Sequence, residues 1–465
     1  MASGTICIEI KRRFDKRINK INTDIKMYTF SGNLKTFSIA LMILGALGMG
    51  YGFLSAPKTT EEVKEILQHE EGAHGDSQAT TDSHGTADSE THSADAEEKH
   101  VEHVMHQMQN RPWSAFFIGA FFTFFMSVCV LAFYAIQWAA QAGWSIVLFR
   151  VMEGITAYIL PGSILIFAFL VISALHGNHI YAWMSPEAAH DEIIQGKAWW
   201  LNTSGWLIRA FIYIFVYNGF RYLLRKNSIA LDNSGDIKIY KKNFNLAVAF
   251  IVIFGIFELF MSFDWLMSLD PHWYSQLYPF YVFASMLVSG ITVIALVTIY
   301  LRSKGFLPFV NDSHLHDLAK YMFGFSIFWA YFWFDQFMLQ WYANIPEDTA
   351  YFYPRLIGSY QLPFIGMLVL NFVLPITILM NSDFKRVPWF IVFVGIIILI
   401  GHYIDIFQLI SPATVGDRWS FGIPEIASIL FFAGLFIFTV FRSIGKVPLF
   451  AKGNPFMKES EIYHY

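Results

Sequence analysis

Ten apolar runs long enough to cross about 30 Å of hydrocarbon limit what this chain can become. They lie at 36–56, 114–138, 150–175, 200–224, 244–269, 277–301, 320–344, 359–380, 388–410 and 423–442. A segment inside a bilayer has no water to satisfy its backbone, so it must be a helix or part of a closed barrel. None of the runs alternates apolar and polar residues as a barrel strand does, and their lengths are helical. The expectation is an all-α, polytopic membrane protein with about ten transmembrane helices. Composition agrees, since 55% of the 465 residues are hydrophobic and only 15% charged, where a soluble domain carries about 25% charged residues. The 48 phenylalanines mark lipid contact before they mark a ligand box.

Polar segments divide the chain. Residues 1–35 form a basic head with eight lysines and arginines. Within it Met27 offers a second plausible start, so the first 26 residues read as a dispensable extension or a disordered cytoplasmic arm. Residues 36–56 read as a retained anchor, because Pro57 after Leu54-Ser55-Ala56 makes a poor signal-peptide cleavage site. Residues 57–113 are an acidic, Ser/Thr-rich outer loop with seven histidines, a composition expected to be largely disordered. His100, His103 and His106 recur every third residue and are weak zinc or copper candidates, the plainer reading being a solvated spacer. Residues 114–442 make a nine-helix membrane domain, and 443–465 a cytoplasmic tail.

With the N-terminus inside, the inner segments collect 24 lysines and arginines and the outer loops 7, with Arg209 alone inside a span, which accounts for all 32. That asymmetry places both termini in the cytoplasm. The net charge of −4 gives no reason to expect a nucleic-acid partner.

An ionised acid at a bilayer centre costs roughly 2.5–3.5 kcal/mol on insertion scales, so acids inside spans ordinarily face a protein interior and do a job. The stretch FELFMSFDWLMSLDPHWYS, from Phe257 to Ser275, places Glu258 and Asp264 in an apolar helix that ends at Asp270-Pro271. The other intraspan polar groups are Asn202 with Arg209, Asp335 with Gln336 and Gln340, and His402 with Asp405. The assumed orientation sets Glu258 near the middle and Arg209, Asp264, Asp335, His402 and Asp405 in the outer half. His402 and Asp405, three apart, share a helix face. Glu258 and Asp264 differ by about 120° around the axis and so address different neighbours. Arg209 is expected beside Asp335, Asp405 or Glu258, because an unpaired buried charge is costly. Plainer readings stand beside these: a structural hydrogen-bonded pair for His402 and Asp405, and an ion pair that registers two helices for Arg209. Glu153 beside Arg150 is either a salt-bridged helix end or a proton-uptake acid at the inner mouth.

Cys7 and Cys129 are the only cysteines, too few for an iron-sulfur cluster or a covalent haem. A membrane b-type haem needs two intraspan histidines, and only His402 is clearly inside a span. A subunit without cofactors of its own follows.

Three stretches carry a resemblance: FDWLMSLDPHWYSQLYPFYVFASMLVSG (263–290), HLHDLAKYMFGFSIFWAYFWFDQFMLQWYANIPEDT (314–349) and HYIDIFQLISP (402–412). They resemble the NrfD and polysulfide-reductase membrane-subunit family, and within it the subunits of bacterial alternative complex III, over most of residues 30–450. The long His-rich loop and the basic head depart from that pattern. The resemblance implies eight central helices in two four-helix bundles with flanking helices. It also implies a sister NrfD-like subunit, multihaem cytochrome c and iron-sulfur partners that hold the haems and clusters, and a quinol:cytochrome c oxidoreductase as the whole. On this expectation the chain offers a quinone-facing surface, a proton path, or both, with Asp335, His402 and Asp405 leading and Glu258, Asp264 and Arg209 behind them. An ion-coupled transporter and a purely structural anchor are the rivals.

Overall fold

The computed structural model describes residues 27–73 and 89–464, and every regular element among them is helical. The proposed extension over residues 1–26 lies outside the described residues. The helices that build the architecture are α1 (Gly32–Ser55), α2 (Thr60–Ala73), α3 (Ser89–Ala139) and α4 (Gly143–Ala174). They continue with α5 (Thr203–Ser234), α6 (Ile237–Trp265), α7 (Tyr278–Ser303) and α8 (Asp312–Ala343). The last are α9 (Gln361–Leu379), α10 (Pro388–Thr414) and α11 (Ile423–Ile444). Among the described residues nine helices, all of these but α2 and α8, are long and apolar enough to cross a membrane. The 32-residue α8 has the length, but its Trp, Tyr, Asp335, Gln336 and Gln340 lower its mean hydropathy. It packs between α7 and α9 all the same. The chain is an all-α polytopic membrane protein.

Helix boundaries follow local chemistry. Asn202, Asp236 and Asn311 cap α5, α6 and α8 by accepting from the Gly205, Lys238 and Ser313 amides at 2.8, 2.8 and 2.9 Å, which satisfies donors the first turn leaves open. Gly235, at φ +62°, ends α5 in the left-handed region, where a side chain would be strained.

Packing resolves the spans into two closed rings. In the first, α3 packs on α4, α4 on α5, α5 on α6 and α6 back on α3; in the second, α7, α8, α9 and α10 close in the same way. The rings join where α3 and α6 meet α7 and where α3 meets α10. Outside them α1 lies along α11, and both touch α3. Small residues permit this close approach: a Cβ on Gly434 of α11 would sit 2.7 Å from the Ser38 carbonyl oxygen of α1. Leu47, Ile164, Phe215 and Ile396 are exposed, as a lipid-facing surface requires. One end of the molecule, here the loop face, carries residues 57–73, 98–112, 175–202, 270–277, 344–360 and 415–422, and the other, the terminus face, carries the start of α1 and the end of α11.

The segment 57–113, expected to be largely disordered, carries helices among its described residues. It contains α2 and the start of α3, which join through Val63 against Val101 and Val104, with Leu67, Met105 and Met108 around them. A narrow apolar stripe at helical spacing was hidden by the acidic residues between. Residues 74–88 of that loop lie outside the described residues.

Candidate functional site

Each ring holds a carboxylate with no exposed surface on its fourth helix, Asp264 in the first and Asp405 in the second, and the two sit at matching places in sequence. Asp264 of α6 precedes Pro271 by seven residues, as Asp405 of α10 precedes Pro412 in DIFQLISP. Their surroundings differ. Asp264 accepts from Arg209 Nε and Nη2 of α5 at 2.8 Å each, from Tyr213 Oη at 2.9 Å and from Trp200 Nε1 at 2.8 Å. Trp200 also lies under the guanidinium, 4.1 Å from Cζ to the ring centre. Arg209 therefore pairs with Asp264 and not with the expected Asp335, Asp405 or Glu258. Running in opposite directions, α5 and α6 bring Asp264 level with Arg209. A bidentate, four-donor carboxylate is a fixed charge that ties two helices together.

Asp405 has no guanidinium or ammonium partner among the described residues. Its Oδ1 accepts from the Tyr281 hydroxyl, and its Oδ2 from Ser285 Oγ at 2.6 Å and Trp329 Nε1 at 2.9 Å. His402 Nδ1 lies 3.5 Å from Oδ2 and 2.9 Å from Ser285 Oγ. One hydroxyl proton cannot serve both neighbours. Donation to the carboxylate leaves the Ser285 lone pair for His402 Nδ1–H, which makes Nε2 the bare acceptor of a neutral ring. That Nε2 is buried without a partner among the described residues. Trp329 stands edge-on to the imidazole at 5.4 Å between centres and holds its plane.

Beside His402, the α9 helix loosens into a five-residue π segment, Val369–Val373, a distortion frequent at functional sites. Its Asn371 packs against Gly401, where no side chain would fit, and both amide atoms are buried without a described partner. Toward the loop face a cavity of about 70 Å³ is lined by Asp270, Tyr278, Tyr351 and Arg355. Arg355 is itself buried, donating from Nε and Nη2 to the Gln408 carbonyl at 3.2 and 2.9 Å and stacking 3.6 Å from the Tyr351 ring. Asp270 also borders a second, more apolar cavity of about 340 Å³ whose walls include Trp199, Trp200, Phe260, Phe263 and Tyr274.

The remaining candidates stand apart. Asp335, a leading candidate with His402 and Asp405, would meet them only if α8 and α10 shared a bundle and its face turned toward α10. They share one, but Trp329 is the α8 residue that reaches Asp405, and Asp335, six positions on and turned by about 240°, is half-buried with no hydrogen bond or ion pair to a described residue. Glu258 accepts from Ser262 Oγ at 3.0 Å and faces Cys129 and Tyr217 within the first ring. Glu153 is buried near the terminus face, bound by Arg150 and by the Tyr134 hydroxyl at 2.8 Å, while Arg150 also grips Asp232. That network knits α3, α4 and α5. His106 stacks on His179 at 3.9 Å between ring centres, His100 and His103 are exposed, and among the described residues no three His, Cys, Asp or Glu side chains group as a metal site.

Tyr281, Ser285, Trp329 and Arg355 were missed from sequence. Tyr281 and Ser285 lie four apart within FYVFAS, a spacing that places two hydroxyls on one helix face. The repeated Asp and Pro spacing would have pointed to Asp405 by analogy with Asp264. No model of a known protein family matches the chain, and neither does any curated protein.

Proposed function

We propose that this protein is a membrane subunit, without redox centres of its own, of a quinol-oxidising respiratory complex of the alternative complex III kind, corresponding to its ActF subunit. It lies in the bacterial cytoplasmic membrane with both termini in the cytoplasm, and its second ring carries protons. Haem and iron-sulfur centres then belong to multihaem cytochrome c and iron-sulfur partners, and a sister NrfD-like subunit lies beside it.

One observation supports the proton role above the others: two matching carboxylates, one locked by Arg209 and the other held only by neutral donors next to a histidine. A carboxylate clamped by a guanidinium stays charged, whereas one among hydroxyls and an indole can take and give a proton. The route is balanced at each atom. A proton added at His402 Nε2 releases the one on Nδ1 to Ser285 Oγ, whose own proton passes to Asp405. From Asp405 the Tyr281 hydroxyl leads toward Tyr278, Tyr351 and the cavity at Arg355 and Asp270. The aromatic cavity of about 340 Å³ suits a quinone ring, apolar on its faces and hydrogen-bonding at its edge. Quinol oxidation releases protons together with electrons, so a base and an exit beside such a cavity fit the chemistry.

The test is Asp405→Asn in the purified complex reconstituted into vesicles. Assembly should be normal while quinol turnover or its coupled proton release falls at least tenfold, a change of about 1.4 kcal/mol in barrier. Asp264→Asn should instead reduce the amount of assembled complex, because stripping a buried arginine of its partner costs about 3–5 kcal/mol. Wild-type turnover and proton release in Asp405→Asn would sink the proton assignment. The π interruption of α9 also suits an ion-coupled transporter. That reading wins if the chain purifies without haem and iron-sulfur partners and moves an ion alone.

A further inference from the structure

We propose that the groove between α4, α5 and α11 at the terminus face binds the headgroup of an anionic phospholipid. The groove encloses about 760 Å³ and is lined by Arg221, Arg225, Lys226, Arg442 and Lys446, with no acid among its walls. The acids that α4 and α5 offer nearby, Glu153 and Asp232, are both engaged by Arg150. Arg225 is oriented by Ser443, donating from Nη2 to its carbonyl at 3.1 Å and from Nη1 to its hydroxyl. Arg221 Nε is buried with no partner among the described residues. Five cations around one concavity with no acid in its walls repel each other, and a buried guanidinium donor without an acceptor is costly. A phosphate diester answers both, because its oxygens match the guanidinium fork.

The walls choose between a lipid and a free anion. Leu160 and Tyr222, both lining the groove, are 51% and 60% exposed, and Ile164, one helical turn beyond Leu160, is 62% exposed. This apolar stripe runs from the cations along α4 toward the hydrocarbon, where two acyl chains would cover it and inorganic phosphate would not. Basic pockets between spans at the cytoplasmic side are a recognised setting for acidic headgroups.

The experiment uses the full chain within its purified complex in neutral detergent, with bound lipid counted by native mass spectrometry after adding phosphatidylglycerol or phosphatidylcholine. The wild type should retain phosphatidylglycerol at least tenfold over phosphatidylcholine. The combined variant Arg221→Gln, Lys226→Gln, Arg442→Gln, Lys446→Gln should lose at least tenfold of that retention, and Arg221→Lys with Arg442→Lys, which keep the charge and lose the fork, should fall between it and the wild type. Should the combined variant fail to fold, the wild type decides alone, through a thermal midpoint that rises with phosphatidylglycerol and not with phosphatidylcholine. Equal retention of the two lipids, undiminished retention in the combined variant, or displacement of the lipid by millimolar inorganic phosphate would each overturn the proposal.

Discussion

Asp264 and Asp405 differ in what meets their oxygens, a guanidinium for the one and hydroxyls with an indole for the other, and at the scale of single residues the proposed proton path rests on that difference. A histidine outside the spans answers the same kind of question in a measurable way. His314, before the 320–344 span, is fully buried; its Nε2 donates to the Ser460 carbonyl at 3.0 Å, and its Nδ1 accepts from the Asn311 amide at 3.1 Å. Those roles need a neutral ring, and burial, the main cause, pushes its pKa from 6.5 down to about 4. The folded state thus resists protonation more than the unfolded chain does. The stability His314 contributes is whole above pH 6.5 and is lost as pH falls toward 4, by up to about 3 kcal/mol. Protection factors of the amides across residues 457–464, corrected for the intrinsic pH dependence of exchange, should be high at pH 7.5 and fall markedly by pH 4.5 in the wild type. Replacement of His314 by Gln, which cannot titrate, should flatten that pH dependence; an unchanged profile would remove His314 from the tail's docking.

Between helices, shape does what the hydrophobic effect cannot, since lipid is as apolar as leucine. Gly434→Leu sets a side chain into the Ser38 backbone, and overpacking of this kind costs about 1–3 kcal/mol. The α1–α11 pair should part. Disulfide cross-linking between cysteines placed at Met42 and Gly434 neighbours such as Leu435 should drop against the same cysteines with Gly434 intact. The spans themselves were legible in sequence because a bilayer imposes length and hydrophobicity on each one separately. The partners of the buried charges were less legible. Helical spacing correctly parted Glu258 from Asp264 and joined His402 to Asp405, both being relations within one helix. It could not choose among acids on different helices for Arg209, nor see that Trp329 and not Asp335 turns toward Asp405, because those depend on which faces the rings bring together.

For the molecule as a whole, orientation rests on the 24 to 7 division of cations, and the terminus-face groove belongs to the larger share. In intact spheroplasts, tags at both termini should resist added protease while the segment 57–111 is cut; cleavage of either tag from outside would invert the orientation and every direction of proton travel inferred from it. The central position of α3 has a further bearing on how such a chain is made. In its apolar stretch 94% of the residues are buried, against both rings and the flanking pair, yet it leaves the ribosome well before α10 and α11. Its contacts with α10 and α11, among them Ser114 with Thr414 at 3.0 Å and Ser428 Oγ to the Ala115 carbonyl at 2.6 Å, wait until those two helices are synthesised. Phenylalanines at 117, 121, 124 and 125 let the helix pass that interval dissolved in lipid. Biogenesis therefore ends where the structure is densest, and a nascent chain stopped before α10 would hold its central post in the membrane, inserted and unfinished.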